Sequence, residues 1–336
     1  MDKDEQFEMS FQLFTSLRYD PLLLTSAENS SPTLNFVMPS PFYMLRYHRD
    51  RMLEAAQHFD FHAVAKLLED GPSLHSTLLQ KVTDWTTQGN QNGPLKLRLL
   101  FDKSATLCVE LSPVPPVPLS TLYPSSFDPP DHSPPPHPAQ TPTPTFSPLT
   151  GGPLTLGPSD SLPAQTSPPS PPWLIKLDTH PTPSTPFTLL KTTHRTVYTS
   201  SRARSLPTPT PTLSEVMLYN ECSELTEGSM TSLYLFRGGR WVTPPVGVPA
   251  GDFDGETLKG GEADEGELRR PFAGRWGHSV RSAKVGAGGQ RGTTRRWALG
   301  RGMCMEEPVG VGTVEVGEGV WVSNGVRGFG FGKVVA

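Results

Sequence analysis

The sequence predicts an α+β fold, and two kinds of hydrophobic pattern in its first part support this class. Apolar residues recur at helical spacing between Phe42 and Phe59 and again between Ser73 and Thr86, as in helices that bury one face. Alternating apolar residues follow at Leu95–Phe101 and Thr106–Leu111, and the intervening Asp102-Lys103-Ser104 is a turn signal. Helices that pack on such an antiparallel sheet form an α+β domain.

The same periodicities predict one strand before these helices and strands and several further elements after them. The chain opens with an alternating run, Phe11–Tyr19, that is typical of a strand. Gly238-Gly239 has the composition of a two-residue hairpin turn. The second half is predicted to contain strands at Trp173–Leu177, Glu215–Tyr219, Gly228–Arg237, Trp241–Thr243 and Val320–Ser323, and helices at Thr193–Arg204 and Thr293–Leu299, the latter capped by Gly302.

The distribution of proline indicates how the chain is divided. The 336 residues suffice for two domains, and 24 of the 38 prolines lie between Pro113 and Pro186. A segment of Pro, Ser and Thr with few large apolar residues buries too little surface to offset its ordering entropy. We therefore predict an N-terminal α+β domain at 8–120, a disordered insert at 121–172, and a C-terminal domain at 173–336 that is interrupted by a low-order insert at 248–287.

The second predicted insert, 248–287, has no helical or strand period, and its acidic first half is followed by arginines. Pro244–Gly247 would continue naturally into the glycine-rich run Gly286–Gly292. One hypothesis is therefore that the segment comes from an unspliced intron, and a transcript that retains it in every copy would contradict this.

Charge and cysteine content limit the classes of partner and compartment. The formal net charge is −4, which gives no general reason to expect a nucleic-acid or membrane partner. The three cysteines, Cys108, Cys222 and Cys304, have no disulfide or metal-site spacing, which favours a reducing compartment. The sequence has no apolar run of about 18 residues that would predict a membrane span. We therefore expect a cytoplasmic protein.

Four features are candidates for chemistry. Lys191 follows an apolar pair, and a lysine amine becomes a nucleophile once it is deprotonated. Glu227 lies in Thr226–Ser229, at the entry of a predicted strand. Gly292-Thr293-Thr294 places amides and hydroxyls at a helix N-terminus, which favours an anion, and Arg51 offers a guanidinium. Alone, each also fits an ordinary structural role, but together they are the groups that pyridoxal phosphate requires.

The order of these motifs resembles that of class IV pyridoxal-phosphate enzymes, the superfamily of branched-chain and D-amino-acid aminotransferases and aminodeoxychorismate lyase. The helix start Ser40–Leu45 and the ending Ser323–Phe329 are similar to those of fungal aminodeoxychorismate lyases. The resemblance implies a two-domain fold with an N-terminal α/β sandwich and a C-terminal pseudo-barrel. It also implies pyridoxal 5'-phosphate as cofactor and a homodimer.

The resemblance implies roles for individual residues. Lys191 would bond the cofactor aldehyde, and Glu227 would hold the proton on the pyridine nitrogen. Ser16 matches a threonine that assists proton transfer in lyases, while the tyrosine that the family carries just beyond the lysine is replaced by Arg195-Thr196. The residues matched to the phosphate are Arg51, Thr293, Thr294 and Asn324, and those expected to bind substrate carboxylates are Arg18 and Arg327.

The reaction that the resemblance implies first is the conversion of 4-amino-4-deoxychorismate to 4-aminobenzoate and pyruvate. An aminotransferase acting on branched-chain or D-amino acids is the alternative within the superfamily, and it differs by requiring an acceptor oxo acid. A third possibility is a non-enzymatic interaction protein whose proline-rich segments, such as Pro113–Pro116 and Ser170–Pro172, dock in an aromatic groove. Such a protein has no need for Lys191 and Glu227 in this order.

Overall fold

The computed structural model describes residues 11–90, 92–129, 145–146, 153–154, 172–246 and 288–336. The described residues up to Phe127 and from Pro172 onward belong to one compact unit. A second unit, 128–171, contributes two paired strands, β4 (Thr145–Phe146) and β5 (Pro153–Leu154). The predicted insert at 248–287 lies outside the described residues, as does most of that at 121–172.

A three-stranded antiparallel sheet forms the first part of the large unit, as the alternation predicts. Its strands are β1 (Leu13–Tyr19), β2 (Leu95–Phe101) and β3 (Leu107–Pro113), in the order β1-β2-β3. Leu95, Leu97 and Leu99 are buried against the helices, because alternate side chains of a strand point to the same face.

Three helices cover this sheet: α1 (Leu45–His58), α2 (His62–Glu69) and α3 (Gly71–Thr87). α1 begins three residues later than predicted, because Met44 has a left-handed φ of 55° that interrupts the helix. The sequence pattern did not reveal α2, a short helix that follows a break at Asp60, where φ is 57°. No helix among the described residues is long and apolar enough to cross a membrane.

The predicted insert begins with residues that belong to the core of the large unit. Residues Leu119–Leu122 form a short helix, α4, and Leu122 is fully buried. Phe127 is also buried, and its ring stacks on Trp321 and lies 4.8 Å from the ring of Tyr234. The domain boundaries at 120, 172 and 173 stay predictions.

An eight-stranded sheet forms the rest of the large unit, together with helices α5 (Pro186–Leu189), α6 (Thr196–Ser205) and α7 (Thr293–Gly300). The strand order is β11-β10-β9-β12-β13-β6-β7-β8. The strands are β6 (Trp173–Leu177), β7 (Ser214–Tyr219), β8 (Leu225–Gly228), β9 (Ser232–Arg237), β10 (Arg240–Thr243), β11 (Met305–Glu306), β12 (Gly319–Asn324) and β13 (Gly328–Val334).

The sheet is curled, and the connection between β8 and β9 shows why it has to be. These strands lie five positions apart in the sheet, which would separate them by about 24 Å if the sheet were flat. Only three residues join them, and four Cα–Cα links span at most about 15 Å. The sheet therefore closes toward a half-barrel, which confirms the predicted C-terminal pseudo-barrel.

Two predictions about this sheet were wrong or incomplete. The strand predicted at 228–237 begins only at Ser232, because Gly228 ends β8 and the chain turns at 229–231, where the Gly228 N–H donates to the Thr231 carbonyl at 2.8 Å. β13 was not predicted, because glycines interrupt its apolar pattern. Its Gly330 faces the Trp173 indole so closely that a Cβ at that position would lie 2.2 Å from Nε1.

Candidate active site

The lysine segment is held against the edge of the N-terminal sheet. The Phe14 N–H donates to the Lys191 carbonyl at 3.2 Å, and the Thr193 N–H donates to the Gln12 carbonyl at 2.9 Å. Leu13 and Thr192 form the antiparallel bridge between these bonds. Because Thr193 is used in this pairing, helix α6 begins at Thr196 rather than at the predicted Thr193.

The Lys191 amine lies in a partly buried, positively charged environment. Its Nζ atom donates to Gln290 Oε1 at 3.3 Å and lies 4.9 Å from the centroid of the Phe14 ring. Burial lowers the pKa of Lys191 well below its ordinary value, and the charges of Arg195 and Arg51 lower it further. These effects favour the neutral, nucleophilic amine.

A chain of hydrogen bonds leads from Lys191 to Glu227. Gln290 accepts from Lys191 and donates through Nε2 to the Tyr198 hydroxyl at 3.0 Å. Tyr198 in turn donates to Glu227 Oε1 at 2.7 Å. Burial raises the pKa of Glu227 to about 7, and the Tyr198 hydrogen bond opposes that rise. Glu227 lies near the end of β8, not at the entry of a strand as predicted.

A second group of polar side chains meets at the N-terminus of α7. The His48 ring lies with Nδ1 2.7 Å from Thr15 Oγ1 and Nε2 3.5 Å from Thr293 Oγ1. Arg51 donates through Nη2 to Thr15 at 2.5 Å, and it lies one turn from His48 on the same face of α1. A Cβ at Gly325 would lie 2.5 Å from the His48 ring, so the turn after β12 closes this group.

The buried Arg51 Nε atom has no hydrogen-bond partner among the described residues. Burial lowers the pKa of Arg51 to about 10, although the charges of Glu227 and Glu54 oppose this. An unpaired buried donor on a cation costs free energy unless an anion binds there. The adjacent helix N-terminus, with Thr293 buried in its first turn, favours an anion through its free amides and its dipole.

The other predicted phosphate ligands have partners of their own. Thr294 accepts a hydrogen bond from Ser323 Oγ at 2.7 Å, on the side of α7 that faces β12. Asn324 Oδ1 accepts from the Val326 and Arg327 N–H groups at 3.0 and 2.9 Å, and so shapes the turn. Of the predicted pair at the helix start, Thr293 is the one whose hydroxyl faces His48.

Ser16 lies two residues beyond Phe14 on β1, on the face that Phe14 presents to Lys191. Its partner across the sheet is Arg98. Thr15, on the opposite face of the strand, contacts His48 and Arg51. One strand thus borders both the lysine and the anion-binding group.

Arg18 and Arg327 have contacts that differ from those expected of substrate ligands. Arg18 is buried, pairs with Asp20 at 2.7 Å and donates to the carbonyls of Pro115 and Val326. The Arg327 guanidinium donates to the Thr212 carbonyl at 2.8 Å and lies over the ring of Trp173. The structure therefore does not bring these two guanidinium groups together at Lys191.

Comparison with known proteins identifies the fold but not a family. No family model matches the sequence, and no protein of curated function matches it. A candidate amino-acid aminotransferase from Mesorhizobium loti is 16% identical, with a TM-score of 0.52 over 97% of this chain and 100% of that chain. The chain has the fold of fold-IV transaminases. At this level of identity the similarity shows the fold alone.

Two further solved structures are similar at TM-scores just under 0.5. A fold-IV transaminase from Curtobacterium pusillum is 10% identical, with a TM-score of 0.49 over 96% of this chain and 79% of that chain. A candidate 4-amino-4-deoxychorismate lyase from Legionella pneumophila is 11% identical, with a TM-score of 0.47 over 97% of this chain and 83% of that chain.

The residues of this site fit pyridoxal phosphate, the cofactor that the sequence resemblance implies. The unpartnered Arg51 Nε atom and the start of α7 suit its phosphate. Lys191, with its lowered pKa, suits the aldehyde, and the buried carboxylate of Glu227 suits the ring nitrogen. The phosphate, aldehyde and ring nitrogen each have a matching group.

Two residues of the site were missed by sequence reasoning. Tyr198 supplies a hydroxyl beside Glu227, three residues beyond Arg195, where the sequence resemblance led us to expect that no tyrosine was available. The signal available was an aromatic residue in the second turn of the predicted helix after Lys191. Gln290 had no signal beyond being the single amide side chain in a glycine-rich loop.

Tyr198→Phe is expected to raise the pKa of Glu227 above about 7, because it removes the hydrogen bond that favours the charged carboxylate. A carboxyl ¹³C NMR titration of cofactor-free protein measures this. Tyr219→Phe, in β7, is the matched control and should leave the titration unchanged. An unchanged Glu227 titration in Tyr198→Phe would contradict the hydrogen-bond chain.

Arg51→Gln is expected to weaken binding of pyridoxal phosphate about tenfold to a hundredfold, since a hydrogen bond to a charged group contributes about 1.5–3 kcal/mol. Absorbance titration of the cofactor measures the dissociation constant. Arg49→Gln is the control, because Arg49 lies on the same helix but donates to Asp50 and to the Leu68 carbonyl. Equal losses in the two variants would argue against a phosphate contact.

Proposed function

We propose that this protein is a pyridoxal-phosphate-dependent lyase that converts 4-amino-4-deoxychorismate to 4-aminobenzoate and pyruvate. The observation that carries the cofactor assignment is the hydrogen-bond chain from Lys191 through Gln290 and Tyr198 to Glu227. The fold-IV architecture and the unpartnered Arg51 Nε atom support it. The lyase reaction rests on the sequence resemblance and on the hydroxyl at Ser16.

In this proposal the protein holds the cofactor at its two ends. Arg51 and the amides at the start of α7 hold the phosphate, and Glu227 keeps a proton on the ring nitrogen. When bound, pyridoxal phosphate supplies an aldehyde that bonds the substrate amine and a ring that withdraws electrons from the adjacent carbon. The hydrogen bond from Tyr198 keeps Glu227 oriented and favours its charged form.

The proton transfers belong to two side chains. Lys191, neutral because burial and neighbouring cations lower its pKa, takes the proton from the substrate carbon that bears the nitrogen. The bond between the carbocyclic ring of the substrate and the enolpyruvyl oxygen then breaks, and the substrate ring becomes aromatic. Ser16 gives a proton to the departing enolpyruvyl group, which becomes pyruvate. Gln290, which accepts a hydrogen bond from Nζ, positions the amine.

An aminotransferase uses the same lysine and carboxylate, but it also requires an acceptor oxo acid, and this requirement separates the two reactions.

The homodimer that the resemblance implies stays a prediction, and sedimentation velocity of the purified protein tests it.

The cofactor-loaded protein is expected to release 4-aminobenzoate and pyruvate in equal amounts from 4-amino-4-deoxychorismate without an added oxo acid. Fluorescence of 4-aminobenzoate and a coupled pyruvate assay measure the two products. Turnover that begins only after an oxo acid is added would identify an aminotransferase instead. Lys191→Ala should abolish either reaction.

Ser16→Ala is expected to lower kcat of the lyase reaction about 10²- to 10⁴-fold, the usual contribution of a positioned proton donor. Ser16→Thr keeps the hydroxyl and is the matched control, with kcat close to that of the unchanged protein. Cofactor affinity, measured alongside, should be the same in both variants. If alanine and threonine variants have equal kcat, Ser16 is not the proton donor.

A further inference from the structure

Three basic side chains surround the ring of Phe14. Lys191 Nζ lies 4.9 Å from the ring centroid, and the guanidinium carbons of Arg98 and Arg195 lie 5.1 and 5.9 Å from it. They come from three separate parts of the fold, namely β2, the lysine segment and the residue before α6. A buried ring thus has two guanidinium charges and the Lys191 amine around it at the candidate active site.

Arg195 is held in place without a partner that neutralises it. It donates through Nη2 to the Ser229 carbonyl at 2.8 Å, and its guanidinium carbon lies 4.3 Å from the centroid of the Tyr198 ring. Among the described residues, no carboxylate forms an ion pair with Arg195. Its charge therefore acts on its surroundings, and it is the largest charge effect among those that lower the pKa of Lys191.

Arg98 has a carboxylate partner that is easily exchanged. It donates to Glu110 Oε2 at 2.9 Å, and the Glu110 side chain is 53% exposed. Exposed ion pairs add little stability, so a ligand carboxylate replaces Glu110 at little cost. Arg98, in β2, lies opposite Ser16 of β1, on the same face of the sheet as Phe14.

We propose that Arg98 and Arg195 are the carboxylate-binding residues of the substrate site, and that the site selects a small dianion. Each guanidinium matches one carboxylate as a two-pronged donor, and the Lys191 amine stays available for proton transfer. A monoanion pairs with only one of the two arginines and so gains only one of the two carboxylate contacts. Arg98 and Arg195 thus take the role that the sequence suggested for Arg18 and Arg327. This proposal rests on the proposed function, because it names the substrate class of the same site.

Two unreactive probes test the selection of a dianion. 3-(Carboxymethoxy)benzoate carries two carboxylates, and 3-methoxybenzoate is its monoanionic counterpart. Isothermal titration of the cofactor-loaded protein at low ionic strength should give a dissociation constant at least about tenfold lower for the dianion. Equal affinity for the two probes would overturn the proposal.

Substitutions assign the preference to the two arginines. Arg98→Gln and Arg195→Gln should each weaken the dianion at least about tenfold and the monoanion much less. Arg237→Gln is the matched control, because Arg237 pairs with Glu318 on another part of the sheet, and it should bind both probes as the unchanged protein does. If Arg98→Gln and Arg195→Gln both bind the dianion over the monoanion as strongly as the unchanged protein does, the assignment of these two arginines is contradicted.

Three further variants keep the test decisive if a glutamine variant fails to fold. Arg98→Lys and Arg195→Lys retain the charge without the two-pronged geometry, and intermediate dianion affinity is expected. Glu110→Gln, at an exposed position, removes the competitor of the ligand and should tighten dianion binding; unchanged or weaker binding would contradict the role of Arg98. The probes do not react, so their binding is measured independently of turnover. If the protein selects the dianion but forms no lyase products from 4-amino-4-deoxychorismate, the carboxylate-binding role of the two arginines is supported and the proposed lyase reaction is rejected.

Discussion

The candidate site depends on the backbone pairing between β1 and the lysine segment. Two hydrogen bonds, from Phe14 to Lys191 and from Thr193 to Gln12, join the N-terminal sheet to the second half of the chain. Side chains alternate along a strand, so this pairing puts Phe14 beneath the lysine amine and Thr15 on the opposite face with the anion-binding residues. A one-residue slip would exchange the two faces and separate these groups.

The same pairing concentrates ionisable groups where water is scarce. Burial disfavours the charged forms of Lys191, Glu227 and Arg51, so their pKa values move toward neutrality. The hydrogen bonds of Tyr198 and Gln290 offset part of that cost without neutralising the positive charge. A site with surplus positive charge and an unpaired buried donor suits anionic ligands, and in the proposed function a phosphate binds at one end and substrate carboxylates at the other.

Local pattern was enough to predict β2, β3 and most helices, since their apolar periodicity is strong. The order of motifs was enough to single out Lys191, Glu227 and Arg51. Side-chain partners that depend on long-range packing were not predictable. Arg98 lies at the site because the strand register places it opposite Ser16, and Arg18 instead donates to the carbonyls of Pro115 and Val326, which are distant in sequence. The turn at 229–231 and the strand before it were not predicted, because the four residues of β8, Leu-Thr-Glu-Gly, include a single large apolar side chain and so show no alternation.

The most direct test is to locate the lysine that bonds the cofactor. Protein loaded with pyridoxal phosphate is reduced with borohydride, digested and examined by mass spectrometry for the peptide that carries the reduced cofactor. The proposed site predicts one stoichiometric modification, on Lys191, the lysine whose lowered pKa and contact with Gln290 set it apart. Modification of another lysine, or none in folded protein, would contradict the assignment of this site.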